Sequence, residues 1–101
     1  MAAMKKIPYD KKRCARSAVI FKTLSHPQRL QIFCSLCAGE RTVSDLRQEC
    51  AIPQAVISQH LSRMRLEGLV LPERHGSFVS YRVADPRLLQ LIDTMQRISH
   101  E

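Results

Sequence analysis

Pro53-Gln54-Ala55-Val56-Ile57-Ser58-Gln59-His60-Leu61-Ser62-Arg63-Met64-Arg65-Leu66-Glu67 is the stretch on which the fold turns. Ile57, Leu61 and Met64 recur at i, i+4 and i+7, so a helix places them on one face while Gln54, Ser58, Gln59, Ser62 and Arg63 share the other. One face is core and the other reaches outward. The outward groups are amides, hydroxyls and a guanidinium, which suit base edges: Gln toward adenine, Arg toward guanine or phosphate, Ser toward either. A surface helix that is merely solvated has the same amphipathicity, so the flanking elements decide between the two.

Immediately upstream, Ala51-Ile52-Pro53 reads as a tight turn, and Thr42 followed by Asp45 reads as a capping box opening a short helix through Cys50. Before it, Leu30, Phe33, Cys34 and Cys37 line the apolar face of another helix. Ser25 is its expected cap, Pro27 lies in its first turn and Gly39 ends it. A first helix is expected over Tyr9–Leu24, with Ala15, Ala18, Val19, Phe21 and Leu24 at three- and four-residue spacing. Downstream, Gly68 stops the central helix, and Leu69–Arg74 pairs with Phe78–Val83 across His75-Gly76-Ser77 as one β-hairpin. Asp85-Pro86 then restarts a helix whose Leu88, Leu91, Ile92, Met95 and Ile98 form a broad apolar stripe that wants a partner.

The order α-α-α-α-β-β-α is mostly α with one β-hairpin and matches a winged helix-turn-helix, in which the second helix of the motif enters the major groove. Residues 1–8 read as a flexible arm, 9–98 as one DNA-binding and dimerisation domain, and 99–101 as a tail. Sixteen Lys and Arg against nine Asp and Glu give a net charge of +7, a field suited to polyanions. With 45% hydrophobic and 25% charged residues the chain has the composition of a folded domain. No apolar run is long enough to span a bilayer, and Met1–Asp10 is too polar for a secretory signal, so the cytoplasm is expected, with its four Cys reduced. No Gly-rich phosphate loop, HExxH pair or carboxylate dyad is present, which argues against an enzyme.

For a duplex DNA partner, Gln54, Ser58 and Gln59 are the first candidates for base contacts, joined by His60 and Arg63. Ser62, Arg65, Arg74 and Arg82 are candidates for phosphate, and His75 belongs to the same basic hairpin. His60 reads equally well as a half-buried helix residue.

Leu24-Ser25-His26-Pro27-Gln28-Arg29-Leu30-Gln31-Ile32, Ile57-Ser58-Gln59-His60-Leu61 and Glu67-Gly68-Leu69-Val70 resemble the hallmark segments of the ArsR/SmtB family of bacterial repressors. The likeness covers roughly residues 15 to 98. It implies a homodimer joined through the first and last helices, bound to a near-palindromic operator and released by an inducer. Two recognition helices related by a two-fold axis would read half-sites about one helical turn, or a multiple of one, apart.

Metal sites of the family do not carry over. Its arsenic sensors bear two Cys flanking a Val on the third helix, where this chain has Thr42-Val43-Ser44-Asp45. Its zinc sensors place Asp and His along the last helix, where this chain has Asp85-Pro86-Arg87 and, near the end, His100. Cys34-Ser35-Leu36-Cys37 lacks the second Cys pair of a zinc ribbon, so neither metal nor cofactor is expected. The Leu30-Gln31-Ile32-Phe33-Cys34 stretch resembles the persulfide- and oxidant-sensing branch, which implies a sensor thiol at Cys34. That branch closes its sulfur bridge with a second Cys near the end of the last helix, where this chain has Ser99 and His100. Cys37, Cys14 or chemistry on Cys34 alone are the substitutes, while Cys37 and Cys50 also read as small buried hydrophobes. Two alternatives stay open: a metalloid-responsive repressor using other cysteines such as Cys14 and Cys37, and a winged-helix nucleic-acid-binding module that senses nothing.

Overall fold

The computed structural model describes residues 10–100, so the expected arm over residues 1–8, Tyr9 and Glu101 lie outside the described residues. Helix α1 spans Lys11–Leu24 and starts at Asp10, whose carboxylate accepts from the backbone N–H groups of Lys12 (2.8 Å) and Arg13 (3.4 Å). Ser25 ends this helix rather than capping the next: its N–H and its hydroxyl both donate to the Lys22 carbonyl. Helix α2 (Pro27–Ala38) opens from the extended backbone of His26 without a side-chain cap. Pro27 compensates in part, since its φ is already helical and its missing N–H would have been an orphan donor.

Arg41–Thr42 forms a two-residue strand, β1, that the sequence pattern did not announce, and Thr42 at once caps helix α3 (Val43–Cys50). The capping box is complete: Thr42 Oγ1 accepts from the Asp45 N–H at 3.0 Å, and the Asp45 carboxylate accepts from the Thr42 N–H at 2.9 Å. Helix α4 follows over Gln54–Leu66, then strands β2 (Val70–His75) and β3 (Phe78–Val83), and helix α5 (Arg87–Ser99). The hairpin turn is only Gly76-Ser77, with His75 already paired to Phe78, and Gly76 takes φ +61° where a tight hairpin needs a left-handed residue. Strand β1 adds to β3 through Arg41–Tyr81 and Thr42–Ser80, so the expected lone hairpin is a three-stranded antiparallel sheet, β1-β3-β2.

Phe33, Ile32, Leu46, Ile57, Leu61, Met64, Leu69 and Val70 are fully buried, binding α2, α3, α4 and the base of the hairpin into one core. Each such side chain contributes about 1.5–3 kcal/mol. On α2 the innermost stripe is Ile32, Phe33 and Leu36, whereas Leu30, Cys34 and Cys37 are only partly buried at its edge. The sequence stripe was right about Phe33 and about one position off for the rest. Of the α5 stripe only Ile92 is buried and Ile98 is 69% exposed; outside the stripe, Leu89 is 38% exposed and Phe21 of α1 59%. No described helix is long and apolar enough to cross a membrane.

Candidate nucleic-acid interface

Helices α3 and α4 are joined by Ala51-Ile52-Pro53. Ala51 adopts the left-handed conformation (φ 55°, ψ 41°), which turns the chain, and Ile52 is buried, which anchors it. Helix α4 is thereby held by Ile57, Leu61 and Met64, and Gln54, Ser58, Gln59, Ser62, Arg63 and Arg65 are all exposed. The face presents two amides, two hydroxyls and two guanidinium groups.

His60 is not part of that face. It is 7% exposed and packs against the start of α2. Arg29 Nε donates to its Nδ1 at 3.4 Å, its Nε2 lies 3.5 Å from Gln28 Oε1, and its ring sits 4.7 Å from that of His26. With Nδ1 accepting, the proton belongs on Nε2, which donates to Gln28. Burial, and then the neighbouring His26 and Arg29, push its pKa below the ordinary imidazole value, so the ring is neutral. Its spacing carried this signal: residues 57, 60, 61 and 64 complete an i, i+3, i+4, i+7 stripe, in which the His is a core member.

The wing stands beside α4, and its two faces differ. On one, Arg82 Nε donates to Glu73 at 2.6 Å, and His75 Nε2 lies 3.1 Å from Glu40 and 2.9 Å from Ser80 while its ring stacks on Phe78. Ser80, which is buried, also donates to the Glu40 carboxylate, and the bonds from Ser80 and His75 hold that carboxyl below its usual range. Arg82 and His75 are thus engaged within the protein. Arg63 is half-exposed and lies 3.5 Å from Glu67. The other face of the wing carries Pro72, Arg74, Val79 and Tyr81, which with Arg65 of α4 line one groove.

Two further groups escaped sequence reasoning. Arg16 of α1 donates to the Glu67 carbonyl at 3.0 Å, closing the C-terminal end of α4. Tyr81 read only as a strand residue, yet strand register carries it onto the groove face. No local pattern announces either, because both depend on contacts between distant segments.

The candidate thiols lie elsewhere. Cys34 and Cys37 line a cleft between α2 and α5 with Ala38, Leu89, Ile92, Asp93 and Gln96, and Gln96 Nε2 donates to Cys34 Sγ at 3.1 Å. Burial raises both thiol pKa values, that of Cys37 to about 11 with the adjacent Cys34 adding to it, so both are protonated near neutrality. Cys14 is exposed on α1, and Cys50 is buried.

Comparison with known proteins agrees with this architecture. Residues 26–71 match the model of the family described as "Bacterial regulatory protein, arsR family". The biofilm growth-associated repressor of Agrobacterium fabrum is 35% identical over 92 residues, covering 91% of this chain and 79% of that protein. Among solved structures, HlyU from Vibrio cholerae superimposes with a TM-score of 0.84 at 28% identity, covering 91% of this chain and 100% of that one. The homodimeric winged helix-turn-helix DNA-binding domain Mb0332 of Mycobacterium bovis gives a TM-score of 0.79 at 26% identity, covering 95% and 92%. A capped α3, a tight turn, an α4 with an exposed polar face and a hairpin wing, together with a relative this similar over most of both chains, make the chain a winged helix-turn-helix member of the ArsR family of bacterial regulatory proteins, which are transcription regulators and not enzymes.

Proposed function

We propose that the chain represses transcription as a homodimer whose paired α4 helices read a near-palindromic operator in adjacent major grooves. The observation that carries this is the outer face of α4, where Gln54, Ser58, Gln59 and Ser62 are exposed and free to meet base edges and backbone. The exposed Phe21 and Ile98 support the pairing, because α1 and α5 would otherwise leave apolar surface in water. The Mycobacterium bovis domain is described as homodimeric, and the Agrobacterium fabrum protein as a repressor. Duplexes selected from a random pool should share a palindrome, and Gln59→Ala should lose about 1–3 kcal/mol of discrimination at one base pair per half-site. Equal affinity of wild type and Gln59→Ala for every base at every position contradicts base reading by this helix. Phe21→Glu and Ile98→Glu should shift the particle toward monomer in sedimentation velocity.

Release of the operator is assigned to Cys34. Its sulfur sits between α2 and α5, so oxidation by peroxide to a sulfenic acid, with loss of water, or gain of a sulfur atom from a polysulfide adds a polar group where the helices pack. The displaced α5 would then re-space the two α4 helices. Cys34→Ser should bind the selected duplex normally and no longer release it on treatment with peroxide or polysulfide. Retained release by Cys34→Ser excludes this thiol, and release by arsenite alone, abolished in Cys14→Ser or Cys37→Ser, would favour the metalloid reading.

A further inference from the structure

We infer that Arg65, Arg74 and Tyr81 form a single-phosphate clamp that seizes one DNA backbone phosphodiester between the last turn of α4 and the wing. This rests on the DNA-binding reading above and adds to it a site of stated chemistry.

The first support is a census of guanidinium groups. Arg13, Arg63, Arg82, Arg87, Arg97 and Arg41 each face a carboxylate within the chain, and Arg16 and Arg29 donate to backbone carbonyls. Arg47, Arg65 and Arg74 alone have no such partner among the described residues. Two of these three line the same groove, of about 290 Å³, although one lies on a helix and the other on a strand. Like charges brought together without an internal counter-charge repel, and an anion placed between them relieves that.

Register is the second support. Pro72 pairs with Tyr81 and Arg74 with Val79, so these four side chains share one face of the hairpin, with Pro72 and Val79 supplying the apolar part of the groove lining. The opposite face holds the Arg82–Glu73 ion pair and the His75–Ser80–Glu40 hydrogen bonds, so its polar groups already satisfy each other. Such a segregation leaves uncompensated positive charge only on the side turned toward α4.

Chemistry is the third. Two planar guanidinium forks with a phenol match the oxygens of a tetrahedral phosphodiester, which Arg holds through paired N–H donors. Bridging helix and wing with one phosphate would also fix the angle between them, so the reading helix is seated by a contact that carries no sequence information.

The test is the salt dependence of binding to duplex DNA of random sequence, measured by fluorescence anisotropy for wild type, Arg65→Ala, Arg74→Ala, the double variant and Tyr81→Phe. The slope of log affinity against log salt changes by about 0.9 for each phosphate no longer neutralised. If both arginines hold the same phosphate, a single variant that still neutralises it keeps the wild-type slope or loses a fraction of it, and the double variant loses about one phosphate's worth per subunit, so about two for the bound dimer. Tyr81→Phe should weaken binding several-fold with the slope unchanged, since a phenol carries no charge. A double variant that loses about twice that amount, about four phosphates for the dimer, means two separate phosphates per subunit and overturns the clamp, as does an unaltered slope. A wild-type chain that does not bind duplex overturns the DNA reading together with the clamp, whereas wild-type binding with a loss of about two phosphates per subunit in the double variant overturns the clamp alone. Inorganic phosphate titrated by calorimetry should show no saturable binding; saturation that is lost in Arg65→Ala while the duplex slopes stay unaltered would assign the groove to a free anion.

Discussion

The imidazole of His60 packs against that of His26, ring centroids 4.7 Å apart and planes inclined by 58°. The contact ties helix α4 to the start of α2 through two groups that cannot both be charged at low cost. Arg29, which donates to His60 Nδ1, adds a third positive group on the same side.

Acidification should therefore loosen this joint. In the folded chain burial, His26 and Arg29 hold the His60 pKa down, while in the unfolded chain it titrates at its ordinary 6.5. The contribution to stability is complete above that value and is lost as the pH falls from it through the depressed folded value. NMR titration of the ring should give a midpoint below 6.5, moving upward in His26→Asn. A midpoint above 6.5 in the folded protein would contradict the packing.

Arg16 connects α1 to the end of α4 by its 3.0 Å bond to the Glu67 carbonyl, and a cation there also opposes the negative end of the helix dipole. Arg16→Ala should weaken duplex binding about fivefold, the effect of one charge-assisted hydrogen bond on an exposed site. Its sedimentation coefficient should stay that of wild type. A matching loss of dimer would place Arg16 in subunit association instead.

Ala51 is a non-glycine residue in the left-handed region, φ 55°. Replacing it by Gly removes the Cβ clash at the cost of a more flexible unfolded chain, for a net gain of roughly 0.5–1 kcal/mol. Differential scanning calorimetry should show Tm raised by roughly 2–6 °C. A lowered Tm would mean that the turn is not held in this conformation.

Ser80, buried within strand β3 of the wing, bonds both Glu40 and His75. Ser80→Ala should speed amide exchange along β3 and leave exchange in α2 and α4 near the wild-type rate. Because those bonds hold the Glu40 carboxyl below 4.5, the wild-type wing should stay protected down through that value and lose protection as Glu40 becomes protonated below it. Equal exchange rates in β3 with and without the hydroxyl would show that the sheet alone holds the wing.

Local chemistry made much of the fold legible in the sequence. Thr42 and Asp45 cap α3 as their spacing requires, Gly39 ends α2, and Ile57, Leu61 and Met64 fill the core side of α4. What escaped depends on which of several available partners a group meets. Ser25 has the residue type of a helix start yet closes the helix before it, because the Lys22 carbonyl is within its reach. Strand β1 is two residues long, too short for any alternation, and exists only because β3 pairs with it. His60 has the residue type of a base reader but the spacing of a core residue, and its neighbours on α2 decide for the inward side chain. The outward set on α4 was readable because a helix period sorts faces directly, whereas the groove of Arg65, Arg74 and Tyr81 needs strand register and helix placement together.

The most direct test of the account is the affinity of the wild-type chain for a selected palindromic duplex relative to a scrambled duplex of equal length and composition, at physiological salt. Reading of bases by α4 predicts a preference of at least about a thousandfold. Equal affinity for the two duplexes would contradict it.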